Sequence, residues 1–193
     1  MNYVPDIPIW FNTKKAAQVV AFFTLKNGGQ INILKVTKLI YLADRKSMQL
    51  RDHPITNDSY VSMDFGPVNS CTYNYMKGSA PDRQDQWLEY IARKNGHDIP
   101  LSRDIDIDAD LDELSRSDLR ILHEIWEEFK DVDRFDLAEF THKYCPEWVD
   151  PKGSSIPIEY ATIFQNLGKD NPVLLADDLQ FERQYLADGF TDQ

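Results

Sequence analysis

Between Leu114 and Phe129 the chain carries a helix together with its own start signal. Ser115 and Asp118 stand at the spacing of a capping box, and Leu114 and Leu119 at that of a hydrophobic staple. Leu119, Leu122, Trp126 and Phe129 then share one face of a 3.6-residue period. A helix of this kind buries only a stripe, so other elements must cover it. The same grammar recurs along the chain. Asn12 or Thr13 caps a helix to about Asn27, closed by Gly28-Gly29. Asn32 caps a second, with Val36, Leu39, Ile40 and Ala43 inward and Lys35, Lys38, Arg45 and Lys46 on a basic back. Asp133 caps a third through Tyr144, with Leu137, Phe140, Thr141 and Tyr144 on one stripe, ended by Pro146 and Pro151. Ser155 and Pro157 predict a further helix to about Leu167. Pro172 and the acidic stretch Ala176 to Asp188 predict a last helix or a loosely held tail.

Elsewhere the pattern is that of strands and turns. Pro54 to Ser59 is a turn-rich loop, and Tyr60 to Met63 has strand composition. In Phe65-Gly66-Pro67-Val68, Pro67 fits the first position of a short helix that carries Tyr73 and Met76 and stops at Gly78. Trp87 to Arg93 and His97 to Leu101 flank Asn95-Gly96, which predicts a hairpin with a type I′ turn. With Tyr60 to Met63, and joined by Ile105 to Ile107, the hairpin completes a small sheet. The expected fold class is α+β, predominantly helical, with six or so helices and a small antiparallel β-sheet of about three strands including a hairpin.

A chain of 193 residues buries roughly 70% of its unfolded surface, enough for one core without disulfides or metal. We expect one main domain over residues 1–170 and an acidic C-terminal extension over 171–193. Ten Phe, nine Tyr and four Trp exclude disorder as the whole answer. The apolar run Val19 to Phe23 is far shorter than the ~20 residues of a membrane span. Met1 to Asp6 has no basic region and no cleavage site of a signal peptide, so the expected compartment is the cytoplasm, with no membrane partner. Cys71 and Cys145 form no C-x-x-C pair and fit reduced, buried thiols.

The net charge of −11 is unevenly spread. Thirteen Lys and Arg meet nine Asp and Glu up to Arg103, whereas eight meet twenty-three from Asp104 onward. A duplex is held mainly through its phosphates, so this balance disfavours nucleic acid as a partner. It suits steering toward a basic or mixed-charge protein, although solubility accounts for it equally.

Signals for chemistry are weak. Asp104, Asp106, Asp108, Asp110 and Asp112 resemble the opening of a calcium loop, but Ala109 stands at the sixth position instead of Gly and Ser115 at the twelfth instead of Glu. A solvated strand with Ile105 and Ile107 inward accounts for the ladder. Glu139 and His142 share a helix face without the second copy that a di-iron site needs. His123 and Glu127 lack the second His of a zinc protease. No G-x-S-x-G, phosphate-cradling loop or H-E-x-x-H occurs. We therefore expect no catalytic residue, no cofactor and no metal. On the first helix Phe22 projects with Lys15, Gln18 and Lys26, so it is either a partner-binding anchor or part of a second packing surface.

Lys38-Leu39-Ile40-Tyr41-Leu42-Ala43-Asp44, followed by Phe65-Gly66-Pro67-Val68 and Tyr73, resembles the core signature of the Panacea domain, the SocA-like antitoxin family. Leu114-Ser115 before a helix, Leu137 with Thr141-His142, and Pro146-Glu147-Trp148 resemble its C-terminal part, so that the likeness spans roughly residues 12 to 165. Phe65 stands where other members often carry Tyr or His, and the acidic segment after Asn171 lies outside the likeness. The resemblance implies a mostly helical α+β antitoxin of a bacterial or phage toxin-antitoxin pair that neutralises a cognate toxin by direct binding. The founding member resembles a proteolytic adaptor, so delivery of the toxin to a Clp-type protease is the alternative. An enzyme that reverses toxin action and a DNA-binding regulator are weaker alternatives. Beyond the toxin, a Clp protease and a second copy of the chain are candidate partners. Candidate partner-binding residues are Phe22, Lys38, Tyr41, Asp44, Arg45, Phe65, His142 and Trp148. Leu39, Ile40 and Ala43 are core by periodicity and Gly66-Pro67 fixes a strand-to-helix turn, while Tyr41, Asp44, Arg45 and His142 equally suit an internal hydrogen-bond network.

Overall fold

The computed structural model describes residues 6–191, and side chains of residues 6–189. The reading of Met1 to Pro5 as free of a leader, and the last two residues of the acidic extension, lie outside them. The chain opens on helix α1 (Thr13–Lys26), whose cap Asn12 accepts from the Lys15 N–H at 2.8 Å. Gly28 and Gly29, at φ 89° and 97°, turn the chain into strand β1 (Gln30–Asn32). Asn32 then caps α2 (Ile33–Arg51), accepting from the Leu34 N–H at 3.0 Å. Strands β2 (Tyr60–Met63) and β3 (Gly66–Asn69) lead into α3 (Ser70–Lys77), which Gly78 closes. After the short α4 (Gln84–Leu88), β4 (Asp98–Pro100) and α5 (Ile107–Asp110) come the long helices α6 (Arg116–Phe129) and α7 (Arg134–Tyr144). Strand β5 (Ile156–Ile158), α8 (Tyr160–Asn166) and α9 (Pro172–Thr191) complete the chain. The fold is α+β and predominantly helical, as expected.

Helix α2 is the axis of the molecule, with α1, α6, α7, α8 and β3 packed around it. A helix covered on all sides cannot keep a solvated polar back. Lys35, Arg45 and Lys46 reach the surface, but Lys38 is buried along with Val36, Leu39, Ile40 and Ala43. Helix α1 is enclosed in the same way. Phe22 has no exposed surface and packs edge-on against Phe23 and against His123 of α6, the latter at 4.8 Å between ring centroids. It belongs to a second packing surface, and its expected role as an exposed anchor is corrected.

The β-structure differs from expectation in five places. Pro67 lies within β3, not at a helix start, and Pro157 lies within β5. The sheet order β3-β2-β5 puts both prolines on edge strands, where a missing N–H leaves no gap in the ladder. Trp87 belongs to α4 instead of a strand, because Trp87, Tyr90 and Ile91 are the buried positions and their spacing is helical, not alternating. Only bridges at Ile91–Leu101 and Asn95–Asp98 remain of the hairpin, and its two-residue loop is Gly96-His97 with Gly96 at φ 61°. Strand β4 pairs instead with β1, Ile99 opposite Ile31, in a separate two-stranded sheet. Finally, Asp106 caps α5 by accepting from the N–H groups of Asp108 and Ala109, so the aspartate ladder is a helix start and not a strand.

The acidic extension is helical. Arg183 docks α9 by donating to Asn57 Oδ1 at 2.9 Å and stacking over the rings of Trp10 and Tyr160, at 4.1 and 4.6 Å. Cys71 and Cys145 are free and buried. Helix α6 carries the full capping box, Ser115 Oγ accepting from the Asp118 N–H and Asp118 accepting from the Ser115 N–H. Ser115→Ala removes one half of that box and is expected to cost about 1 kcal/mol of stability in urea unfolding, with no change in the denaturant slope.

Candidate functional site

Three carboxylates organise the polar interior around α2. Asp44 accepts from the N–H groups of Ile55 and Thr56 at 2.9 Å each, from the Thr56 and Tyr60 hydroxyls, and from Asn69 Nδ2 at 2.8 Å. Burial raises its pKa while these donors pull the other way. Asp58 accepts from the N–H groups of Cys71 and Thr72 at 2.8 Å each, and from the Thr72 hydroxyl at 2.7 Å. It thus caps α3 from twelve positions before the helix begins, in place of Asn69, whose side chain is held by Asp44. Glu147, just past α7, accepts from the Tyr41 hydroxyl and from Arg45 Nε, both at 2.7 Å.

The polar members of the sequence motif therefore meet one another. Tyr41 and Arg45 share Glu147, and Asp44 ties the loop before β2 to β3. His142 stacks on Trp148 at 3.9 Å between centroids, and Trp148 Nε1 donates to the Met63 carbonyl at 2.9 Å. Of the eight candidate residues, Phe22, Lys38, Tyr41 and Asp44 are buried, Arg45, His142 and Trp148 are half-buried, and Phe65 alone is largely exposed.

Phe65 sits at the mouth of a cavity of about 520 Å³ between α2, the β2–β3 turn and the first turn of α7. Asp133 starts α7 by accepting from the Phe135 N–H, which leaves the Phe135 ring outside the buried stripe. Phe65 and Phe135 are 57% and 51% exposed, their ring centroids lie 6.4 Å apart, and Arg134 stacks over Phe135 at 4.8 Å. Ile33, Leu34 and Val68 form apolar walls. Sequence reasoning missed Phe135 because its stripe ran through Leu137, Phe140 and Thr141. The signal available was an aromatic residue in a capped first turn that falls off the buried face.

Lys38 is buried and lines the same cavity. Its ammonium donates to the Pro67 carbonyl at 2.8 Å, and burial lowers its pKa to about 7. Gly66, at φ 103°, makes this approach possible, since a Cβ there would strike the Thr141 hydroxyl and lie 3.1 Å from Lys38 Nζ. Chemically the cleft offers two aromatic faces, an apolar wall and the Arg134 cation, which suits an apolar or aromatic side chain of a partner. Burial pushes both thiols up, Cys145 to about 12, which keeps them from acting as nucleophiles. Among the described residues no group of three or more His, Cys, Asp or Glu side chains is placed to hold a metal ion. No described helix is long and apolar enough to cross a membrane.

The Lys38 environment has a consequence for pH. From pH 7 to about 8 the unfolded chain retains a Lys38 proton that the folded chain gives up, so stability rises with pH there, by up to about 1.4 kcal/mol per unit. At higher pH the Cys71 and Cys145 thiols, which ionise in the unfolded chain and are held protonated by burial in the folded one, act in the opposite sense. Urea unfolding between pH 7 and 8 should show this rise, and Lys38→Met should flatten it. For the buried pair, Glu147→Ala leaves Arg45 and Tyr41 without their acceptor and is expected to cost about 3–5 kcal/mol, read from the same unfolding curves.

No curated protein and no solved structure matches the chain. A family model described as antitoxin SocA-like, Panacea domain, matches residues 36–149. Those bounds take in α2 from Val36 onward, the sheet residues of β2 and β3, the cleft residues Phe65 and Phe135, and the Glu147 that closes the interior network. The match covers more than half of the sequence, and the chain belongs to the SocA-like antitoxin family, with a Panacea domain.

Proposed function

We propose that this antitoxin-family protein neutralises a cognate toxin by direct, non-covalent binding, and that the toxin seats an apolar side chain in the cleft rimmed by Phe65 and Phe135. The observation that supports this is the contrast between the two kinds of motif residue. The polar ones are engaged inside the fold, while two neighbouring aromatic rings stand exposed over an apolar cavity. Large aromatic rings at the centre of a patch are the usual anchors of a protein interface. Binding leaves every bond of the toxin intact and needs no cofactor. In this reading residues 1–170 form the neutralising domain and 171–193 an acidic extension of it.

Co-expression with the toxic product of the neighbouring gene should restore growth, and the two proteins should co-purify. Phe65→Asp places a charge in the anchor position and is expected to weaken the complex at least about 30-fold, a hot-spot effect of roughly 2 kcal/mol. Because the ring is exposed, the melting temperature should stay within about 2 °C of the parent. Calorimetry of the purified pair reads both quantities. Growth rescue without a complex would refute sequestration, and a toxin half-life that shortens only with the host protease present would point to the adaptor alternative.

A further inference from the structure

Helix α9 is apolar on two opposite sides. One side faces the domain, with Leu179 and Arg183 buried and Leu175 and Leu186 partly covered. At about 100° per residue, Leu174, Phe181 and Tyr185 fall within about 40° of one another and on the side opposite Leu179. They are 58%, 77% and 73% exposed. A helix that merely lies on a soluble domain puts polar residues there, so a stripe of three large apolar side chains marks a surface with something to bind.

The flanks of the stripe identify its partner. Asp177 and Asp188 border one side, Asp178 and Glu182 the other, and all four are exposed. Asp188 accepts from Gln184, and Glu182 meets His53 at 3.1 Å, so both hold local contacts within an acidic field. The single Lys or Arg of α9 is Arg183, and it points into the domain. A second copy laid against this face would set carboxylates against carboxylates, and anionic lipid headgroups would be repelled in the same way. The complementary ligand is apolar along one stripe and cationic beside it. The stripe from Leu174 to Tyr185 is about 17 Å long, which matches three turns of helix. Helix α9 also lies outside residues 36–149, so this surface is additional to the part the family shares.

We propose that the outer face of α9 is a docking strip for a basic amphipathic helix of a partner protein. Leu174, Phe181 and Tyr185 receive its apolar residues, and Asp177, Asp178, Glu182 and Asp188 face its Lys and Arg. This is helix-in-groove recognition with the charge signs fixed by the sequence of α9. The strip stands independently of the Phe65 cleft, so either can fail alone.

The test uses the full chain, a labelled 18-residue Leu/Lys peptide patterned as an amphipathic helix, and its Leu/Glu counterpart, read by fluorescence anisotropy. The Leu/Lys peptide should bind and the Leu/Glu peptide should not. The double variant Phe181→Ser/Tyr185→Ser keeps every charge and replaces only exposed side chains, and it should weaken Leu/Lys binding at least tenfold with an unchanged circular dichroism spectrum. Equal binding by that variant would reduce the effect to general attraction by an acidic protein and overturn the proposal. Concentration-dependent dimerisation abolished by the variant would overturn it in favour of a second copy. Sedimentation with phosphatidylcholine vesicles, lost in the variant, would overturn it in favour of lipid.

Discussion

The carboxyl group of Asp44 ties the central helix to the loop and the two strands that follow it. It sits in the middle of α2, out of reach of water, and accepts from a loop, a β2 tyrosine and a β3 asparagine at once. An ionised carboxylate so deep in the fold would cost several kcal/mol if left bare, and the surrounding N–H and O–H groups offset that cost only when all are in place. The requirement propagates outward. Asn69 turned toward Asp44 cannot cap α3, so Asp58 does it, and the Asp58 carbonyl in turn receives Arg183 from α9. One buried carboxyl group thereby couples the central helix, the small sheet and the C-terminal helix through a chain of hydrogen bonds.

The long helices α1, α2, α6 and α7 are legible in the sequence because their signals are local. Asn12, Asn32, Ser115 and Asp133 each cap the helix predicted for them, and each does so with an N–H two or three residues away. The strands were less legible because their partners are distant. Nothing near Asp98 to Pro100 says that it pairs with Gln30 to Asn32, and nothing near Pro157 says that it will lie beside Val61. Pro67 shows the same difficulty from the other side. A proline after glycine is equally suited to a helix start and to an edge strand, and only the sheet order decides between them.

The site divides along the same line. Periodicity placed Phe22 on the polar arc of α1, and it could not show that α6 covers that arc with His123. Periodicity puts Lys38 on a basic back because lysines usually reach water; its burial depends on Gly66, twenty-eight positions on, leaving room for it. Glu147 enters the sequence reading only within Pro146-Glu147-Trp148 of the family likeness and without a role, yet it is where Tyr41 and Arg45 converge. Phe65 was found because the motif contains it, whereas Phe135 needed the fold to bring α7 alongside the β2–β3 turn.

These placements bear on how such a protein can choose a partner. A sequence motif that is spent on buried hydrogen bonds identifies the scaffold and says little about what the scaffold holds, because Tyr41, Asp44 and Glu147 present almost nothing to solvent. Discrimination must then come from side chains that the fold tolerates in many forms. Phe65 and Phe135 meet that condition at the cleft, and the outer face of α9 meets it again, since replacing an exposed side chain there disturbs neither the Asp44 network nor the Arg183 dock. Separating the residues that specify the fold from those that meet the partner lets recognition change without cost to stability. On the readings proposed above, the exposed aromatic rings and the acid-flanked stripe are where the physical chemistry of partner choice resides.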